Sequence, residues 1–179
     1  MEDPEVPTEH LHEHINESAS ESRDRWSMYL AISTALMAVF AALGSLFAGH
    51  HSNEALISQI KASDQWSYYQ AKGIKYEITH SVIQNTKSTD IDSATAAQLK
   101  DKQAKYKTEQ EEIKEKAHDA EKDSEEHLAR HVTLARCVTL FQISIAISAI
   151  SILTRKRLLW YFSLVLSAGG LYLFIMGMI

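Results

Sequence analysis

The sequence predicts an all-α integral membrane protein, with three transmembrane helices and an extramembrane antiparallel helical hairpin between the first and the second. Three observations carry this expectation. Residues 28–49, 137–154 and 158–179 contain no charged side chain, and each run is long enough to cross a hydrocarbon core of roughly 30 Å at about 1.5 Å per helical residue. The only two prolines, Pro4 and Pro7, precede all three runs, so nothing later forces a helix to break. Strand-like alternation is absent, and between the first two runs apolar residues recur at three- and four-residue spacing instead.

Residues 1–25 read as an acidic tail. Glu2, Asp3, Glu5, Glu9, Glu13, Glu17, Glu21 and Asp24 supply most of the net charge of -5. An acidic, low-complexity arm neither folds alone nor attracts nucleic acid, so DNA and RNA are not expected as partners. Within the tail His10, His12 and His14 alternate, and His50 and His51 follow the first apolar run. Histidine with glutamate binds zinc, nickel or copper, and on a helix His10 and His14 would share a face. The spacing matches no closed metal site, and the second histidine pair would lie across the membrane. A solvated polar tail is the preferred reading, and no cofactor is expected.

The first span, residues 26–49, is too long for the apolar core of a cleaved signal peptide and follows an acidic rather than a basic flank, which fits a signal anchor. It carries Ala31, Ala35, Ala38, Ala42, Ser45 and Gly49 along one stripe. Small residues let helix backbones approach closely in lipid, where packing replaces the hydrophobic effect. The second span, residues 132–154, offers Ser144, Ser148 and Ser151. The third, residues 158–179, offers Ser163, Ser167, Gly170 and Gly177. Such stripes serve either an internal three-helix bundle or an oligomer, and the sequence leaves both open. Mid-membrane only Gln142 is strongly polar, and Arg136 sits near an edge where it can snorkel, while pumps and ion-coupled transporters place ionisable groups mid-membrane. Cys137 is the single cysteine, which excludes an intrachain disulfide and a cysteine-based zinc cluster.

Residues 155–157, Arg-Lys-Arg, form a short basic loop. Positive charge in short loops marks the cytoplasmic side, which puts the N-terminus inside as well and the hairpin outside. Arg23 and Arg25 agree with that orientation; Lys61, Arg130 and Arg136 pull against it.

The hairpin, residues 50–131, reads as two helices over 52–87 and 94–131, each reaching roughly 50 to 55 Å. The turn-forming stretch 85–93 separates them, with Asp92 or Ser93 as cap. Heptad spacing gives the first arm a seam of Ile57, Ile60, Asp64, Ser67, Ala71, Ile74, Ile78 and Ser81. It gives the second a seam of Ala96, Leu99, Gln103, Tyr106, Gln110, Ile113, Ala117, Ala120, Ser124 and His127. With that phase Trp66, Tyr69, Gly73 and Tyr76 share an outward face, with Gln70 and Lys72 at its rim, ready for a second helix. A shifted phase would instead make these residues the hairpin core; the outward reading is preferred.

No nucleophile elbow, phosphate-cradling loop, His-Glu-x-x-His run or paired cysteines occur in the sequence, so an enzyme is not expected. The segments Glu9-His10-Leu11-His12-Glu13-His14-Ile15, Gly49-His50-His51-Ser52-Asn53-Glu54-Ala55 and 62–75 resemble domain-of-unknown-function family 4337 of bacterial membrane proteins. The Trp-x-x-Tyr-Gln-Ala-Lys-x-Ile-Lys stretch, residues 66–75, is the specific part. The resemblance implies a bacterial inner-membrane protein of the same layout and brings no activity or cofactor. The expected role is that of a non-enzymatic structural or interaction protein, in the lipid bilayer with a second copy or another membrane protein. The rival is a pore-forming oligomer or a metal-responsive subunit.

Overall fold

The computed structural model describes Glu13, Ile15, residues 25–86 and residues 93–179. Three helices account for nearly all of them: α1, Arg25–Thr86; α2, Ser93–Thr154; and α3, Arg157–Met178. No strand occurs among the described residues. The tail histidines His10, His12 and His14 and the proposed cap Asp92 lie outside the described residues, as does the side chain of Ser93.

Helices α1 and α2 are each assigned as a single helix of 62 residues. Hydroxyls that would otherwise compete with the helix fold back onto carbonyls one turn earlier. Thr34 bonds to Leu30, Thr79 to Lys75 and Ser144 to Leu140, all at 2.8 Å. Each hydroxyl is thereby satisfied without an outside partner, a requirement in apolar surroundings. All three helices are long and apolar enough to cross a membrane.

The chain divides into two compact units, residues Met1–Ser52 with Leu128–Ile179, and residues Asn53–His127. In the first unit, Met37 and Ala41 of α1 pack with Cys137, Phe141 and Ile145 of α2, and Leu164, Leu173 and Phe174 of α3 lie against them. Phe40 stacks on Phe141 with centroids 5.9 Å apart and meets the edge of Phe174. A second cluster gathers Ile15, Leu30 and Ala149, with Trp26, Ile152 and Trp160 around it.

Close approach here depends on missing side chains. A Cβ on Gly44 would stand 3.0 Å from Val138, and one on Gly177 would stand 2.7 Å from Leu134. Ser148 donates to Ser163, Ser163 to the Trp160 carbonyl, and the Trp160 indole to Ser33. The α2–α3 link turns at Arg155 in left-handed backbone, φ 52°, and Ser151 ties it by donating to the Lys156 carbonyl.

The α1 stripe is displaced from its expected place. Ala42 and Gly49 are exposed, and nothing lies within 4 Å of a Cβ built on Gly49. Ala31, Ala35, Ala38 and Ser45 are half-buried. The buried line is instead Ser27, Leu30, Thr34, Met37, Ala41, Gly44 and Ala48, one residue earlier. The reason is size mixing: the helix buries Leu30 and Met37 together with the small residues, so a stripe chosen for smallness alone falls beside the true contact line. On α3, Ser163 and Gly170 are buried and Ser167 is half-buried.

Candidate functional site

In the second unit, α1 residues 53–86 pack along α2 residues 93–127, and the contacts pair rising numbers on one helix with falling numbers on the other. Ser124 donates to the Ala55 carbonyl at 2.9 Å, Trp66 reaches Glu121, Lys72 reaches Glu109, and His80 reaches Gln103. Near Ala55 the seam is made of small residues: Ala55, Ser58 and Ala62 of α1 and Ala117 and Ser124 of α2 are all buried. Further along it changes character, and polar and aromatic groups take over.

The signature segment 66–75 supplies most of these. The Trp66 indole N–H donates to Glu121 Oε1 at 2.7 Å, while the other carboxylate oxygen meets His118 Nδ1 at 3.0 Å. The Trp66 ring lies edge-on to both Tyr69 and His118. One glutamate thus holds an indole and an imidazole in fixed positions.

Lys72 is the centre of the site. Only 9 % of the residue is exposed, yet its ammonium pairs with Glu109 Oε2 at 2.5 Å and lies over the rings of Tyr68 and Tyr106, 5.2 and 5.5 Å from their centroids. The long stem covers apolar surface while the charge finds a carboxylate and two π faces. The hydrogen bond to Glu109, and after it Tyr68, raises the lysine pKa above its ordinary value. The same bond holds the Glu109 carboxyl below its own, against the opposing effect of burial.

Gly73 makes room for the next layer. A Cβ there would stand 2.8 Å from Gln110 Nε2, and that amide points at the Tyr69 carbonyl. Tyr76 stacks on His80, whose two ring nitrogens meet Gln84 and Gln103 at 2.8 and 2.9 Å.

These positions correct the expected outward face. Trp66, Tyr69, Lys72, Gly73 and Tyr76 point at α2, and only Gln70 of the set is exposed. The expected α1 seam is the exposed one: Ile57, Ile60, Asp64, Ser67, Ala71, Ile74, Ile78 and Ser81 all face away. Residues of the α2 seam, from Ala96 to His127, are buried or half-buried throughout. The isoleucines favour one heptad phase on α1, whereas the α2 seam, rich in Ala, Ser, Gln and Tyr, is matched by small, aromatic and hydrogen-bonding residues. Glu109 and Glu121 escaped the sequence reading because acidic residues crowd that helix. The signal for Glu109 was a lysine at a core position, which demands a carboxylate opposite.

The sequence profile of the domain of unknown function DUF4337 matches residues 26–179. The chain belongs to that family. All of α1 after Arg25, with α2 and α3, falls within the DUF4337 match, as do Trp66, Lys72, Glu109 and Glu121. No curated protein and no solved structure matches this DUF4337 chain. Among the described residues, no three His, Cys, Asp or Glu side chains converge where a metal ion would sit.

Proposed function

We propose that this protein is a non-enzymatic membrane structural or interaction protein. Three helical spans lie in the bilayer and hold an antiparallel helical hairpin outside it for docking to another copy or another membrane protein. The observation that carries this reading is the Lys72–Glu109 pair clasped by Tyr68 and Tyr106. A charged group at a core position penalises every other register, because any slip leaves it unpaired. A hairpin whose register is fixed by such a group has one shape to present, and Trp66 with Glu121 and Lys72 with Glu109 are engaged with one another.

Insertion in lipid is supported by large apolar side chains that no neighbour covers: Leu46, Leu153, Leu158 and Val165 are 67 to 80 % exposed. The basic loop at 155–157, with the Arg157 guanidinium over the Trp26 ring and Trp160 and Tyr161 beside it, fits the aromatic belt at a cytoplasmic interface. On this reading the protein resides in a bacterial inner membrane with the hairpin in the periplasm. The buried serines of α2 and α3 bond to each other and to carbonyls within one chain, which weighs against a polar pore lining.

Topology labelling tests the proposal. In a Cys137→Ser background, Lys107→Cys should react with a membrane-impermeant maleimide in intact spheroplasts, and the protein should stay in the pellet after carbonate extraction. Labelling only after permeabilisation would reverse the orientation. Release by carbonate would remove the membrane reading.

A further inference from the structure

The Gln142 side chain has no partner in its own chain: among the described residues no hydrogen bond reaches its amide. Hydroxyls close to it on α2 are satisfied, Thr139 donating to the Ala135 carbonyl, Ser144 to the Leu140 carbonyl and Ser148 to Ser163. On the proposed membrane reading, on which this inference rests, the amide stands well inside the hydrocarbon. Arg136 and Arg155 bound the charge-free stretch of α2. At 1.5 Å per residue Gln142 lies about 9 Å from the first and about 20 Å from the second. Unlike Lys or Arg, glutamine has no long stem with which to snorkel to a boundary. Neither water nor a lipid headgroup reaches that depth, and an unpaired amide in hydrocarbon is strongly disfavoured.

The surroundings of the amide leave room for another helix. Ala135, Thr139, Gln142 and Ala146 follow at three- and four-residue steps and share one side of α2. Thr139 is exposed and the other three are half-buried, whereas Cys137, Phe141 and Ile145 of the same helix pack in the core. One turn to either side of the amide this face carries only Thr139 and Ala146. Small residues at such positions let a second backbone come close enough for a short side chain to bond across.

We propose that this side of α2 is the contact between two copies of this chain, joined within the bilayer by reciprocal hydrogen bonds between their Gln142 amides. A primary amide carries donor and acceptor together, so each Nε2 donates to the Oε1 of the other copy and both groups are satisfied. Copies inserted the same way in one bilayer are related by an axis along its normal, which brings Gln142 to the same depth in each. An unrelated membrane protein would have to present a polar group of its own at that depth; a second copy always does. The contact lies wholly within the first unit.

Cross-linking in native membranes tests this. In a Cys137→Ser background, Ala146→Cys should form a disulfide-linked product of twice the chain mass with copper–phenanthroline as oxidant. The yield should be several times that from Val165→Cys, an exposed position on α3 at a similar distance from the 155–157 loop. Gln142→Leu should weaken association about five-fold or more, lower the Ala146→Cys yield accordingly, and leave the circular-dichroism helix content unchanged. Gln142→Asn, which keeps an amide, should retain the product. Equal yields at Ala146→Cys and Val165→Cys, a yield indifferent to Gln142→Leu, or linkage to a different polypeptide alone would overturn the proposal. Carbonate extraction of the same membranes separates the two claims. Release of the protein defeats the membrane reading and the pairing with it, whereas a protein that stays bound yet gives no Ala146→Cys product defeats the pairing alone.

Discussion

The two units of this chain solve the same packing problem with opposite materials. The first buries Leu30, Met37, Leu134, Phe141 and Ile145, with Phe40 stacked on Phe141, and hydroxyls such as those of Thr34 and Ser144 are tied to nearby carbonyls. The second fully buries little apolar volume beyond Ala55, Ala62, Ile113 and Ala117, and sets Lys72, Ser58, Thr79 and Ser124 among them. The contrast teaches that the first unit is held by volume and close fit, and the second by a short sequence of directional contacts. Apolar burial is nearly indifferent to sliding by a heptad. An ion pair, an indole–carboxylate bond and an imidazole between two amides are not.

The comparison breaks most sharply at Phe141. Truncation to Ala in the first unit should cost about 3–5 kcal/mol, read as a large fall in the thermal midpoint in detergent, with loss of the Phe40 and Phe174 contacts. If the cost is slight, the first unit is not held by volume.

Next comes the pair in the second unit. Glu109→Leu alone strands the Lys72 ammonium in the seam and should lower the melting temperature clearly. Lys72→Met with Glu109→Leu should recover much of that loss, because no uncompensated charge remains. Acidity probes the same pair. Glu109 is held below its ordinary 4.5, so its contribution is complete above pH 4.5 and is lost as pH falls through the lowered value. Lys72 is raised above its ordinary 10.5, so its contribution is complete below pH 10.5 and is lost as pH rises through the raised value. Melting curves from acid to alkaline pH should show a plateau between those limits in the native chain and a shallower dependence in the double variant.

Trp66→Phe sharpens the directional part of the argument. It keeps most of the ring and removes the bond to the partly exposed Glu121, and should cost about 1.5 kcal/mol, the lower end for a hydrogen bond to a charged group. The smallest effect has the opposite sign. Gly49→Ala, in open space, should stabilise α1 by about 0.5–1 kcal/mol, whereas Gly44→Ala, facing Val138 at 3.0 Å, should gain less or lose. Chemical denaturation of the two variants side by side distinguishes them.

The helices were legible in the sequence because their signal is coarse: charge-free runs, no proline after Pro7, and sustained three-four spacing. The α2 seam was legible too, since Leu99, Tyr106, Ile113 and Ala117 stand among charges that cannot be buried. The α1 seam was not. Two heptad faces coexist on that helix, and the more apolar one, with its isoleucines, lies outside while Trp66, Lys72 and Gly73 lie within. Hydrophobicity ranks the faces in the wrong order because the partner helix offers small and polar residues, for which Ala62, Gly73 and a paired lysine are the better complement. Ala31, Ala35, Ala38 and Ala42 misled for a related reason, as the contact line of α1 is set by Leu30 and Met37 as much as by its alanines.

The most direct test of the account sets the two faces of α1 against each other by thermal melting and circular dichroism of Trp66→Ala and of Ile74→Asn with Ile78→Asn. An inner aromatic seam and an exposed isoleucine face predict that Trp66→Ala lowers the melting temperature clearly. The isoleucine variant should keep its melting temperature and its helix content. An unchanged melting temperature for Trp66→Ala, with a large fall for the isoleucine variant, would contradict the account and return the aromatic face to the outside of the molecule.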